Sequence, residues 1–176
     1  MDRNMIIAGF GGQGVLFTGK VIAYCGMIDD LQLSWLPSYG PEMRGGTANC
    51  SVCLSDRPIG SPLVTSPDLL IAMNTPSYEK FINTVAPGGI VVYDSSLVEP
   101  VTKRDDVKAF GVPATELTNT EDLQGIANII LLGKALKEAG FASLETMEKA
   151  IGKCVPAKKA HLLVHNVRAV KLGMSL

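Results

Sequence analysis

The sequence predicts an α/β fold, a three-layer α/β/α sandwich around a mostly parallel or mixed sheet. Three observations predict it. Apolar runs of strand length and helical patterns interleave, mostly in strand–helix order. Several of the strand candidates, such as Ile90–Asp94, lack the polar alternation of a half-solvated sheet, so both faces are expected to be covered. The stretch Leu31–Leu54 holds two strand candidates with no helix between them, so part of the sheet is expected to be antiparallel.

The elements follow in order. Asn4–Gly9 is a short apolar run ending in glycine, a buried strand. Val15–Met27 is apolar nearly all round and reads as a buried helix, closed by Asp29-Asp30. Together they give a Rossmann-like first strand–loop–helix. Leu31–Leu36 is the second strand. The loop "PSYGPEMRGG" has two prolines and three glycines. Thr47–Leu54 is the third strand, with a turn at Asp56–Pro58 and a short strand expected from Ile59. Strand Leu69–Met73 leads to a helix over Pro76–Val85, with Thr75 as N-cap and proline in its first position. Strands Ile90–Asp94 and Val107–Val112 come next. Then come helices over Leu123–Ala139, stopped by Gly140, and Ser143–Lys153, capped by Ser143 with Glu145 in its first turn. A last helix is expected over Lys158–Lys171. No repeat or low-complexity linker divides the chain, and 1–176 reads as one domain.

Bulk properties narrow the function. Hydrophobic residues make up 47% and charged residues 19%, the balance of a folded domain. No apolar run approaches the length of a membrane span, and the N-terminus lacks the layout of a signal peptide, so a cytoplasmic protein is expected. A net charge of −1 argues against a general nucleic-acid binder. Its distribution is uneven: Lys153, Lys158, Lys159, Arg168 and Lys171 fall after residue 152 with no acid among them. A solvated helix face explains that run better than an acidic partner does.

Cys50 and Cys53 have redox or zinc spacing, but they lie on a strand. Residues i and i+3 there point to opposite faces, so these thiols are expected to diverge and to be buried with Cys25 and Cys154. His161 and His165 have i,i+4 spacing but no carboxylate near in sequence, and no metal is expected on them.

The stretch "IAGFGGQGVLFTGKV" fits two phosphate-binding patterns. Gly14, Gly19 and Lys20 spell most of a P-loop, but Val21 offers no hydroxyl for Mg²⁺ and residues 15–18 read as a buried helical turn. Gly9, Gly11 and Gly14 spell the dinucleotide fingerprint in its required place between strand and helix. That fold also wants an acid at the end of the second strand, and none comes before Glu42. What remains is a turn, Gly11, Gly12, Gln13 and Gly14, that can offer backbone amides and the Gln13 amide to an anion. Tyr39, Arg44, Gly45 and Gly46 follow the second strand, where the arginine fork suits a phosphate or carboxylate and the glycines allow close approach. Asp94-Ser95-Ser96 ends another strand and is a third candidate, though a turn or helix cap is the better reading of it. No Ser-His-Asp or Cys-His set presents itself, so no catalytic residue is assigned.

The motifs "GFGGQGV", "SYGPEMRGGTANCSV", "SDRPIGSP", "PDLLIAMN", "APGGIVVYDSSLV", "VPATEL" and "ANIILLGKAL" occur in this order. Together, over about residues 5–172, they resemble the gamma subunit of the 2-oxoacid:ferredoxin oxidoreductases, and "SYGPEMRGGTA" resembles the 2-oxoglutarate type. The resemblance implies oxidative decarboxylation of a 2-oxoacid, or the reverse carboxylation, within a hetero-oligomer. It implies thiamine diphosphate, Mg and iron–sulfur clusters on partner subunits, with none of these on this chain. It also implies coenzyme A as the candidate ligand here, with phosphates near Gly11–Gly14 and Arg44–Gly46. The implied partners are thiamine-binding alpha and beta subunits and a ferredoxin-like subunit or ferredoxin, homodimerisation being open to the isolated chain. Two other readings stay open: a stand-alone NAD(P)-dependent oxidoreductase using the glycine loop, and a scaffold subunit with no ligand.

Overall fold

In the computed structural model, β1 (Asp2–Phe10) sits inside a six-stranded mixed sheet of order β2-β3-β1-β4-β5-β6. The structure describes residues 2–38, 47–156, 158 and 160–176. The others in the sheet are β2 (Gln32–Ser38), β3 (Thr47–Ser55), β4 (Leu69–Ala72), β5 (Ile90–Asp94) and β6 (Lys108–Val112). Among the described residues six helices accompany them: α1 (Val15–Ile28), α2 (Thr75–Ile82), α3 (Ala114–Thr120), α4 (Ala127–Ala139), α5 (Leu144–Cys154) and α6 (Leu162–Ser175).

Strand β3 runs antiparallel to both β1 and β2, while β4, β5 and β6 continue the sheet in parallel with β1. The expected antiparallel part is therefore the β2–β3 pair. Five strands end at one edge, and β3 begins there, with Thr47 opposite Phe10. Both ends of the 39–46 segment, Ser38 and Thr47, thus lie on the edge that carries the glycine turn.

Period-2 alternation divides the core cleanly. Met5, Ile7, Leu69, Ile71 and Val92 face a layer built from α1, α3, α4, α5 and α6. Ile6, Ala8, Leu70, Ala72 and Val91 face α2 through Tyr78 and Ile82. The sandwich has its three layers, but one helical layer is thick and the other is a single helix. Cys50 points to the α1 face, its thiol donating to Val15 O at 3.6 Å. Cys53 lies outside that cluster, so the two thiols diverge as expected.

Several boundaries differ from the expectations for local reasons. Asn74, not Thr75, caps α2: its side chain accepts from Ser77 N at 2.9 Å, which moves the helix start back and places Pro76 second. The expected helix over Leu123–Ala139 begins only at Ala127, because Asp122 and Gly125 adopt positive φ (52° and 80°) and turn the chain. Helix α3 occupies "ATELTNT", where no helix was expected. The last helix starts four residues later than expected and runs to Ser175. Ile59 opens no strand. Ser143 caps α5 as expected, accepting from Thr146 N at 3.0 Å.

Helices α4 and α6 cross with almost nothing between them. A Cβ on Gly133 would overlap the Val170 carbonyl, and one on Gly173 would overlap the Ile130 carbonyl. Glycine is required at both positions because the neighbour is backbone and cannot move aside.

Candidate functional site

The connection after β1 leads through α1 toward β2 and lies on one face. The connection after β4 leads through α2 toward β5 and lies on the other. The crevice between the carboxyl ends of β1 and β4 is therefore a topological switch point, where open α/β sheets bind ligands.

Three structural groups build the walls of this crevice. The first is the glycine turn. Gly12 and Gly14 have φ of 94° and 80°, conformations that cost side-chain-bearing residues dearly. Gly14 is the N-cap of α1 and supplies no capping side chain, so the first amides of the helix face outward unclaimed by a cap. The second group is the end of β4, at Met73 and Asn74. The third is the end of β5 with α3 and the start of α4, bringing Asp94, Thr115, Thr118 and Asn128. These enclose a cleft of about 190 Å³ lined by Gly12, Gln13, Asp94, Thr118 and Asn128 among others. A second depression of about 260 Å³, mostly apolar, lies across the turn against Phe10, Leu16, Phe17 and Ala48.

Gln13, expected to offer its amide to an anion, spends most of its hydrogen-bonding capacity within the fold. It folds back: Oε1 accepts from Phe10 N at 2.6 Å and from Asn74 Nδ2 at 3.0 Å, and Nε2 donates to Met73 O at 3.0 Å. A long amide side chain is what this gap needs, since it joins a donor and an acceptor on two strands. Gly9 makes room for it, because a Cβ there would come within 2.8 Å of Gln13 Oε1.

Asp94 is a functional element that sequence reading only half found. It is 2% exposed. Its carboxylate accepts from Ser96 N at 3.0 Å, Thr115 N at 3.2 Å and Thr115 Oγ1 at 2.6 Å. The cap reading of "DSS" is thus correct, and Asp94 also reaches the cleft that Gly12 lines. An acid does reach the cleft, from the end of β5, two strands from β1 in the sheet.

Asn128 belongs to the same wall and was not foreseen. Its Nδ2 donates to Gly14 O at 3.3 Å and to Thr18 Oγ1 at 3.0 Å, tying α4 to the first turn of α1. Only the chain fold brings it there.

Gly11, Gly12, Gln13 and Gly14 are thus gathered at one edge. Tyr39, Arg44, Gly45 and Gly46 lie outside the described residues. His161 directly precedes α6 and His165 lies in its first turn; among the described residues no group of three or more His, Cys, Asp or Glu is arranged to hold a metal ion. The P-loop reading fails on position: Gly19 and Lys20 lie in the second turn of α1, and Gly19 packs against Cys50 and Trp35. No helix among the described residues is long and apolar enough to cross a membrane.

A mixed, doubly covered sheet with a glycine turn at its switch point defines a doubly wound α/β domain. The profile of the family described as pyruvate ferredoxin/flavodoxin oxidoreductase matches residues 4–176, and the chain belongs to that family.

Its relatives include ketoisovalerate oxidoreductase subunit VorA of Methanothermobacter thermautotrophicus. That protein is 40% identical over 169 residues, covering 95% of this chain but 35% of its own length. The chain therefore spans about a third of that relative. The 2-oxoglutarate synthase subunit KorC of Methanocaldococcus jannaschii is 35% identical over 159 residues, covering 89% of this chain and 85% of the relative. Among solved structures, the keto/oxoacid ferredoxin oxidoreductase gamma subunit of Geobacter sulfurreducens superposes with a TM-score of 0.83 at 27% identity. It covers 98% of this chain and 96% of that one. The 2-oxoglutarate:ferredoxin oxidoreductase of Magnetococcus marinus, solved with 2-oxoglutarate, coenzyme A and succinyl-CoA bound, gives a TM-score of 0.86 at 25% identity. It covers 99% of this chain and 30% of that one.

Proposed function

We propose that this chain is the gamma component of a multi-subunit 2-oxoacid:ferredoxin oxidoreductase, with 2-oxoglutarate as the oxoacid and coenzyme A bound partly at its carboxyl edge. The observation that carries the reading is the family match over residues 4–176, together with the likeness to KorC and to the Geobacter gamma subunit along most of this chain.

The residues present fit an anionic cofactor. The N-terminus of α1 opens at the Gly12–Gly14 turn, with no side chain on the N-cap to claim its first amides. Gln13 holds that turn against the end of β4, so the amides are ordered before a ligand arrives. Arg44, Gly45, Gly46 and Tyr39 belong to the segment that leaves and re-enters the sheet beside this turn, and are proposed as the second half of the phosphate site.

In this reading thiamine diphosphate with Mg and the iron–sulfur clusters reside on partner alpha, beta and ferredoxin-like subunits and supply decarboxylation and electron transfer. The work of this chain is to bind and orient the acyl acceptor, in the cytoplasm and without a membrane or nucleic-acid partner.

Co-expression with the partner subunits tests this. The expected result is that the chain co-purifies with two thiamine-enzyme subunits, that the complex oxidises 2-oxoglutarate with ferredoxin or a dye, and that the isolated chain does not. Arg44→Ala in the complex is expected to raise KM for coenzyme A about tenfold or more with little change in KM for 2-oxoglutarate. Turnover by the chain alone would sink the subunit reading. Tight NADH binding, seen as enhanced nicotinamide fluorescence, would revive the stand-alone dehydrogenase.

A further inference from the structure

We propose that the switch-point cleft is a subsite for an uncharged, donor-rich group, a hydroxyl- or amide-bearing moiety, and that it excludes phosphate. The inference rests on the nucleotide-cofactor reading of the glycine turn and says which part of such a ligand enters the fold.

The argument is an inventory of hydrogen-bonding capacity. Three side chains that could donate into the cleft have already donated elsewhere, and a fourth, Gln13, keeps one of its two amide hydrogens. Gln13 Nε2 donates once, to Met73 O, and Thr118 Oγ1 donates to Thr115 O at 2.7 Å. Thr115 Oγ1 donates to Asp94, and Asn128 Nδ2 to Gly14 O and Thr18 Oγ1. What Thr118, Asn128 and Asp94 have left is acceptor capacity.

Asp94 decides the sign. A carboxylate offers about four lone-pair directions. Ser96 N, Thr115 N and Thr115 Oγ1 use three, which leaves room for one more donor. A phosphate brings only acceptors and negative charge to a wall that sets one Gln13 N–H against several acceptors and a carboxylate, where burial removes the screening that water would give. A sugar diol, an exocyclic amine or an amide N–H brings what the wall lacks. The anionic part of the ligand is thereby confined to the outer side of the turn, at the α1 amides, while a neutral part enters beside Asp94.

Two parts of nucleotide-type cofactors have this chemistry: the adenosine unit and the pantetheine arm. Calorimetric titration of the purified chain with adenosine, pantetheine and inorganic pyrophosphate separates them. Binding of at least one neutral probe is expected, weakened about tenfold or more in Asp94→Asn. Because that change also loosens the start of α3, a second variant is needed. Ala127→Leu fills the cleft from the first residue of α4 without touching the Asp94 hydrogen bonds, and should block the same probe while leaving pyrophosphate binding intact.

Failure of both neutral probes to bind overturns the proposal, as does equal binding to Ala127→Leu, or loss of pyrophosphate binding in that variant. Coenzyme A in the same titrations separates the two readings. If coenzyme A binds both variants as well as wild type, the cleft assignment is wrong and the cofactor reading stands. If a neutral probe binds and coenzyme A does not, the cleft stands and the cofactor reading falls.

Discussion

Gln13 and Met73 lie sixty positions apart, yet the Gln13 amide donates to the Met73 carbonyl at 3.0 Å and closes the gap between β1 and β4. Its Oε1 holds Phe10 N and Asn74 Nδ2 from the other side. Gln13→Ala leaves these partners without it, and an unsatisfied buried group costs about 1–3 kcal/mol. The expected loss is about 2–3 kcal/mol in urea or guanidinium unfolding. Gln13→Glu places a carboxylate against a carbonyl, and that carboxyl can donate only when protonated. Its folded-state pKa is then raised, so the variant should regain stability as pH falls toward the ordinary glutamate value, and a flat pH profile would contradict the geometry.

The two positive-φ glycines of the turn should not respond alike. A side chain at either costs about 1–2 kcal/mol of backbone strain. At Gly12 nothing lies within 4 Å of an added Cβ, so Gly12→Ala should cost little beyond that. At Gly14 the methyl overlaps the Asn128 amide and displaces its bonds to Gly14 O and Thr18 Oγ1. Gly14→Ala should therefore be the more destabilising by about 1 kcal/mol or more in parallel denaturation curves. Equal effects would mean that Asn128 gives way freely.

Helical glycines make a second contrast. Gly173→Ala drives a methyl into the Ile130 carbonyl, and overpacking of this kind costs about 3 kcal/mol when backbone cannot yield. Gly152 lies on the exposed side of α5 with open space around it, so Gly152→Ala should stabilise by about 0.5–1 kcal/mol. A thermal melt of both variants should show shifts of opposite sign.

Burial pushes the Cys25 and Cys50 thiols up to about 12 and Cys154 up to about 11, and raises Cys53 as well. At pH 8 the thiolate, the reactive form, is then scarce at each, and all four are shielded from reagent. Iodoacetamide at pH 8 should leave the native chain unmodified by mass spectrometry and add four labels in guanidinium. Rapid labelling of Cys50 and Cys53 in the folded protein would reopen the redox reading of that pair.

Much of the fold was legible because its signals are local. The apolar run Val15–Met27, the Ser143 cap and the strand placement of Cys50 and Cys53 all follow from spacing within one element. The antiparallel β2–β3 pair followed from a missing helix. The glycine turn was legible as a shape, while the use of Gln13 was not, since its partners Met73 and Asn74 become neighbours only through the order β1-β4. Helix α3 was missed because its start is held by Asp94, 21 positions upstream, where a window on "ATELTNT" sees no cap. Asp94 was recognised as a strand end, but its meeting with Gly12 needs the whole row β1-β4-β5.

The α4–α6 crossing has a mechanical consequence. With glycine at 133 and 173, the two backbones rest on one another at those positions. The pair is expected to move as one unit, and Asn128 and Leu131, which wall the cleft, are mounted on it. Widening of the cleft is then expected from the opposite side, at the Gly12–Gly14 turn, or from the short linker at Gly125. A subunit pressing on α6 would thus be felt at the cleft as a rigid displacement.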